Sequence, residues 1–326
     1  YESAKEVLDG KRRSTHAPML KDMLALCGLL KKQRAKRGSI EFALSEVCVL
    51  VDDQGVPQGL QRSEYDETHQ LVEEFMVKTN ETIATHLTKE NKPVPYRIHD
   101  QPSAESIKNF VRIARGFGYN VKNNPEIDDF KQLFEDAKGT SNETLIAVSF
   151  IRSMRLACYS VGNLGHFGLS LEYYCHFTSP IRRYADLVVH RVLFEEAASE
   201  EERMTEEELH LITEQCSKQE RLSAKAEGNV ILLKKLRLLK SYQDDSDKKA
   251  SFDAIVTQVK PHGIIFDIPE LVLDGFIHIS ELGNDYFVYN ESTKSLVGDR
   301  SNEQFRLGEH IKVNLAKVDL IGLESS

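Results

Sequence analysis

The chain has 326 residues and a mass of 37.1 kDa, enough for two or three domains with a sizeable core. Hydrophobic residues make up 40% and charged ones 29%, and the net charge is −9, a balance that excludes a disordered polymer and a protein that coats nucleic acid indiscriminately. No apolar run approaches the ~18 residues of a membrane span, and the first residues hold no signal-peptide core.

The five cysteines (Cys27, Cys48, Cys158, Cys175, Cys216) include no CxxC pair. That speaks against a zinc site or a disulfide framework and fits a reducing cytoplasm. The chain starts at Tyr1 without an initiator Met, so a fragment of a longer protein is expected. Charge is unevenly spread. Residues 1–40 carry ten Lys/Arg against four Asp/Glu, and residues 195–208 carry eight Glu against one Arg. The acidic run reads as a solvated helix face, and any phosphate-binding surface belongs to the basic regions.

In chain order, residues 17–36 carry apolar side chains at helical spacing and stop at Gly38. A β-like stretch follows over 38–60, with Asp52-Asp53-Gln54-Gly55 as its turn. Residues 64–88 read as a long helix, with further helices over 103–116, 142–158 and 181–198. A last helix spans about 205–241 and opens on Thr205-Glu206-Glu207-Glu208, the form of a capping box. The polar stretch 241–250 reads as a linker, and 252–319, rich in Val, Ile and Phe with glycine punctuation, reads as a small all-β domain.

The segment His176-Phe177-Thr178-Ser179-Pro180-Ile181-Arg182-Arg183-Tyr184-Ala185-Asp186 is the most informative. Ser179 suits a helix N-cap and Pro180 the first helical position. Arg182 and Arg183 then oppose the positive end of the helix dipole, which disfavours cations by roughly 0.3–1 kcal/mol each. A phosphate held jointly by the guanidinium groups and the helix N–H groups would reverse that preference. The alternatives are an Arg182–Asp186 pair at i,i+4 and an Arg183 turned to a structural carboxylate.

Together with Gly165-His166-Phe167-Gly168-Leu169 upstream, the string runs on through HFTSPIRRYADLVVHR. It resembles the signature of the ribonuclease II and ribonuclease R (RNB) exoribonuclease family, in its ribonuclease R form. RGSIEF (37–42), THQLVEEFM (68–76) and YRIHDQP (96–102) resemble the same family, and the likeness covers nearly the whole chain. The implied fold class is α+β: the mainly helical C-terminal part of an RNB-type catalytic domain over 1–243, a linker over 244–251, and an S-one type OB-fold barrel over 252–326.

The resemblance implies processive hydrolysis of single-stranded RNA from the 3′ end to nucleoside 5′-monophosphates, assisted by Mg2+. It implies that Arg182 contacts a phosphate near the scissile bond, that Glu73 meets the ribose hydroxyls of the terminal nucleotides, and that Phe42 stacks on the 3′-terminal base. Glu73 on an exposed helix face and Phe42 in a strand core are the plain alternatives. Ser179 and Arg183 complete the phosphate site, and His166 and His176 are RNA contacts or packing histidines. In the barrel, Ile264 and Ile265 stand where the family pattern places an aromatic. His262, His278, Tyr286 and Phe287 remain as stacking candidates, and weaker stacking than usual is expected.

The family's magnesium site rests on an aspartate cluster of the form D-x5-D-x-D-D. Neither Asp52-Asp53, Asp128-Asp129 nor Asp244-Asp245 with Asp247 has that spacing, so no metal ligand is assigned here and the Mg2+ ligands are expected upstream. The family's cold-shock-type barrels are missing too, and the barrel ends short of the customary basic tail. Two readings follow: the RNA-holding C-terminal part of an exonuclease, inactive by itself, or a non-catalytic RNA-binding protein that kept the channel. Either is expected to be monomeric, cytoplasmic, free of membrane contact and bound to single-stranded RNA. The first has an N-terminal part of the same enzyme as a further partner. A scaffold without RNA would make the intact SPIRR segment accidental.

Overall fold

The structure is a computed structural model that describes residues 1–40, 47–62, 65–140, 142–194, 204–244, 251–291, 293–315, 318–320 and 324–325. In chain order come α1 (Glu2–Leu8), α2 (Ala17–Arg37), β1 (Val47–Val51), β2 (Pro57–Arg62), α3 (Glu67–Lys89) and β3 (Tyr96–Ile98). Then follow α4 (Ala104–Gly116), α5 (Ile127–Ala137), α6 (Glu143–Ser153), β4 (Cys158–Ser160), α7 (Tyr184–Leu193) and α8 (Glu206–Asp244). Strands β5 (Ser251–Lys260), β6 (Gly263–Ile268), β7 (Leu273–His278), β8 (Phe287–Asn290) and β9 (Ser295–Gly298) come next. The chain closes on β10 (Gln304–Phe305), β11 (His310–Asn314), β12 (Val318–Asp319) and β13 (Glu324–Ser325).

Two compact units result. One holds Tyr1–Ala43, Glu64–Ser106 and Arg152–Ser223; the other holds Leu44–Ser63, Ile107–Ile151 and Ala224–Ser326. These units interleave along the chain, and the linker expected over 244–251 falls largely outside the described residues.

In the first unit the element ends follow local chemistry. Gly38 stops α2 with φ 101, a left-handed conformation that costs glycine little. Asp66 caps α3 by accepting from the amides of Thr68 and His69. Thr205 and Glu208 exchange the two bonds of the predicted capping box. Ala84 and Leu87 of α3, Ile98 of β3, Cys175 and Val188, Val189 and Val192 of α7 share one buried cluster. The helix expected over 142–158 ends instead at Ser153, and Cys158–Ser160 pairs antiparallel with Tyr96–Ile98 as β4. Tyr159 is buried between half-buried neighbours, a strand alternation that a helical reading of so short a run conceals.

In the second unit β1 and β2 form a hairpin, and Asp52 closes its turn by accepting from the amides of Gln54 and Val56. Helices α4–α6 enclose an aromatic cluster: Phe150 lies 5.1 Å from Phe110, 4.9 Å from Phe130 and 5.1 Å from Phe134, ring centre to ring centre. The remaining strands form the expected small β domain, with sheet orders β11-β5-β6-β7 and β10-β9-β8. Val256, Ile264, Phe287, Leu296 and Phe305 make one part of its core and Phe252, Ala254, Phe266 and Val313 belong to another.

Phe150→Ala should destabilise the second unit by about 3–5 kcal/mol, because the space it leaves is bounded by other rigid rings and cannot fully collapse. Leu156→Ala, at a position 74% exposed, should change stability by less than about 0.5 kcal/mol. Urea unfolding followed by circular dichroism checks both.

Candidate nucleic-acid interface

Helix α7 begins at Tyr184, with Arg183 as its N-cap, and not at Pro180. The sequence expectation is corrected here. Ser179 caps no helix; it opens a tight arch in which its carbonyl accepts from the amides of Arg182 (3.3 Å) and Arg183 (3.1 Å). The cause lies in Asp186. Its carboxylate is fully buried, and its Oδ2 accepts both the Ser179 amide (2.7 Å) and Arg183 Nη2 (2.8 Å). The loop is thereby tied off before the helix starts. Arg183, not Arg182, holds the structural carboxylate.

At the crown of the arch Ile181 is fully exposed and Arg182 is exposed, with no side-chain hydrogen bond or ion pair among the described residues. An unengaged guanidinium beside a carboxylate already neutralised by its neighbour is free to take an anion. Arg183 Nε, Asp186 Oδ1 and Thr178 Oγ1 are buried with no partner among the described residues.

Behind the arch runs a chain of edge-to-face rings: His99–His166 (5.1 Å), His166–Tyr174 (5.2 Å), Tyr174–His176 (5.7 Å) and His176–Tyr159 (5.6 Å). His176 Nδ1 lies 2.8 Å from the Tyr159 hydroxyl, and the Leu169 amide donates to His166 Nδ1 at 3.3 Å. Burial, helped by the positive charges of Arg183 and Arg97, pushes His176 down to about 2. Burial, with His99 and Arg97, pushes His166 down to about 3. Both histidines are thus neutral packing groups of this network. His99, overlooked in the sequence, latches the Gly-His-Phe-Gly turn: its Nδ1 accepts from the Gly168 amide at 3.0 Å, and its Nε2 lies 2.8 Å from the Arg155 carbonyl. Arg97 stacks 4.8 Å over Tyr159 and pairs with Glu220 of α8 at 2.6 Å. No spacing in the sequence announced that pair.

On α3 the two glutamates divide their tasks. Glu74 is buried and pairs with buried Arg34 at 2.9 Å, whereas Glu73 keeps its side chain 44% exposed, 3.4 Å from the same guanidinium. Glu73 is therefore the carboxylate that an incoming ligand can reach. Phe42 lies outside the described residues.

In the β domain one face of β7 is open. Asp274, Phe276 and His278 alternate outward, and Phe276 is 40% exposed. Its ring lies 5.7 Å from His262 and 6.5 Å from His278, and Ile265 is its cross-strand partner. Gly263, at φ 154, makes room: a side chain there would meet the Phe276 ring and the Ile277 carbonyl. Phe276 is thus an exposed aromatic opposite Ile265, and the period-two pattern Asp274/Phe276/His278 was the signal for it. Tyr286, on the loop before β8, is 75% exposed. Phe287 is a correction. It is 3% exposed and packs against Phe305 at 5.3 Å in the core, because β8 turns it inward, so it cannot stack on a base.

The RNB domain is matched over residues 1–198 and the S1 RNA binding domain over residues 246–320. The chain belongs to the RNB-domain family. It is 38% identical over 305 residues to ribonuclease R of Aquifex aeolicus (strain VF5), covering 92% of this chain and 42% of that protein. To ribonuclease R of Chlamydia muridarum (strain MoPn / Nigg) it is 35% identical over 324 residues, 98% of this chain and 45% of that one. The chain thus spans under half the length of these relatives. The apo form of Mycoplasma genitalium RNase R shares the fold with a TM-score of 0.88 at 24% identity, over 100% of this chain and 52% of that chain. Yeast Ssd1, a pseudonuclease, shares it with a TM-score of 0.67 at 19% identity, over 90% and 37%.

The carboxylates present in this stretch of the RNB fold do not suit a resident magnesium ion. No three His, Cys, Asp or Glu side chains converge among the described residues. Asp52 is used up by its turn, and Asp129 is held by Lys122 at 2.8 Å and by the Glu126 amide.

The neutral histidines of the RNB unit set a pH window. The folded values of His166 and His176 lie below the ordinary 6.5, so the unfolded chain binds protons first as pH falls. Stability present above about pH 6.5 should decline toward pH 4 by on the order of 1 kcal/mol per pH unit for each histidine. Thermal melts across that range check it: His176→Phe should flatten the slope, and an unchanged slope would mean that His176 is already charged in the fold.

Proposed function

We propose that this chain is the RNA-holding C-terminal part of a ribonuclease R-like exoribonuclease that shortens single-stranded RNA processively from its 3′ end and releases nucleoside 5′-monophosphates. The observation that carries the reading is Arg182: an exposed, unengaged guanidinium on an arch whose other arginine is neutralised. A planar fork of that kind suits a phosphodiester, and a charge-assisted bond contributes about 1.5–3 kcal/mol. In this reading Arg182 grips the phosphate near the bond that is cut, with Ser179 and Arg183 shaping its seat. Glu73 accepts a ribose 2′-hydroxyl, which DNA lacks, and Phe42 stacks on the terminal base. His262, Phe276 and His278, with Tyr286 as a further candidate, stack bases of the strand on the S1 barrel.

The aspartates and the Mg2+ that activate water come, in this reading, from the upstream part of the RNB domain, and no step is assigned to them here. The working protein is a cytoplasmic monomer. Among the described residues no helix is long and apolar enough to cross a membrane. A second reading, an RNA-binding protein without catalysis, is favoured by the lack of converging metal donors among the described residues and by the fold shared with yeast Ssd1, a pseudonuclease. An aspartate cluster encoded upstream of Tyr1 decides for the enzyme.

The purified chain should bind single-stranded RNA yet release no nucleotides when magnesium is added; magnesium-dependent release of nucleoside monophosphates from a labelled oligonucleotide would overturn the division of labour. In a protein extended upstream, RNA should be shortened and DNA spared. Glu73→Gln should narrow that preference, and wild-type protein that shortens both at one rate would remove the assignment of Glu73. Arg182→Ala should lower single-turnover decay more than RNA affinity if the contact tightens as charge develops, and Arg182→Lys should recover little.

A further inference from the structure

We propose that Asp186 is a positioning residue, whose single oxygen Oδ2 clamps both ends of the Ser179–Arg183 arch and so fixes the phosphate-gripping pose of Arg182. The inference rests on the reading of Arg182 as an RNA-phosphate ligand.

The geometry separates this from ordinary helix capping. Asp186 is the third residue of α7, and an acid there usually reaches back to the amide of the N-cap residue, closing a capping box. That amide, of Arg183, is already bonded to the Ser179 carbonyl at 3.1 Å. Asp186 reaches past it to the Ser179 amide, at the far end of the arch, and to the Arg183 guanidinium at the near end. Between the two fixed points lie Pro180, with its restricted φ, then Ile181 and Arg182. The same contact cancels the charge of Arg183 inside the protein and leaves Arg182 as the cation that the arch presents. Without the clamp the arch has one backbone carbonyl left to close it, and Arg182 must be ordered when the ligand arrives, which weakens binding.

The test uses the whole 326-residue chain and a fluorescein-labelled single-stranded oligoadenylate, with affinity measured by anisotropy over a range of salt. Arg182→Ala should weaken binding about tenfold or more, and should reduce the slope of log K against log salt by about 0.7, the signature of one lost phosphate contact. Asp186→Asn should lose a similar factor and the same increment of slope. Combined with Arg182→Ala it should cost nothing further, because both changes remove one contact. Asp186→Asn strands a buried guanidinium, so the paired replacement Arg183→Met with Asp186→Leu, which removes the ion pair at similar volume, gives a second route to the same loss.

Folded Asp186 variants that keep the wild-type slope, or whose effect multiplies with that of Arg182→Ala, would overturn the proposal and leave Asp186 as a support of the fold alone. An Arg182→Ala chain with unchanged affinity and slope would instead remove the underlying reading of Arg182, and an oligoadenylate that fails to bind the wild-type chain would remove the RNA reading itself.

Discussion

The buried carboxylate of Asp186 organises the Ser179–Arg183 arch and the start of α7. A fully buried charge is tolerated only when opposite charge and hydrogen bonds surround it, and Asp186 gathers a guanidinium and a backbone amide on one oxygen. That requirement decides where α7 starts, which arginine turns inward and which stays in solvent. The exposed guanidinium is thus a consequence of how the interior is balanced, and the RNB signature string is a folding instruction before it is a binding one.

The same logic recurs through the first unit. Arg34 is paired with Glu74 at 2.9 Å, Arg97 with Glu220 at 2.6 Å and Arg183 with Asp186 at 2.8 Å. Breaking one partner of the buried Arg34–Glu74 or Arg183–Asp186 pair costs about 3–5 kcal/mol, far more than exposed pairs contribute; Glu220, 39% exposed, leaves its pair with Arg97 partly screened by solvent. The arginines that hold the fold are therefore spoken for by acids, while Arg182 and the open carboxylate Glu73 lie at the surface. A net charge of −9 is compatible with an RNA-holding face for this reason. A binding face depends on the groups exposed locally, not on the sum over the chain.

Much of the helical framework was legible because its signals are local. The stop at Gly38, the hairpin turn at Asp52 and the capping box at Thr205 each need only a few neighbouring residues, and each is present. The short strands β3 and β4 escaped, since their pairing joins residues 96–98 to 158–160 and no local period marks it. The start of α7 was misplaced for a related reason. Ser-Pro is a good helix opening in isolation, and only the long reach of Asp186 to the Ser179 amide overrides it. In the β domain the inward turn of Phe287 and the outward turn of Phe276 depend on strand register, which one residue of slip reverses. Of the candidate site, the sequence singles out Arg182 but leaves Glu73 between an RNA contact and an exposed helix face; the pairing of Arg183 was one of two open alternatives, and the histidine network required coordinates.

The central claim is that the arch presents Arg182 to an RNA phosphate. A crystal structure of this chain with a bound single-stranded oligoribonucleotide tests it most directly. The account predicts a phosphate oxygen within hydrogen-bonding distance of the Arg182 guanidinium, with the Arg183–Asp186 pair and the Ser179 amide contact unchanged. RNA bound with Arg182 still free in solvent, or with Arg183 drawn away from Asp186 to take the phosphate in its place, would contradict it.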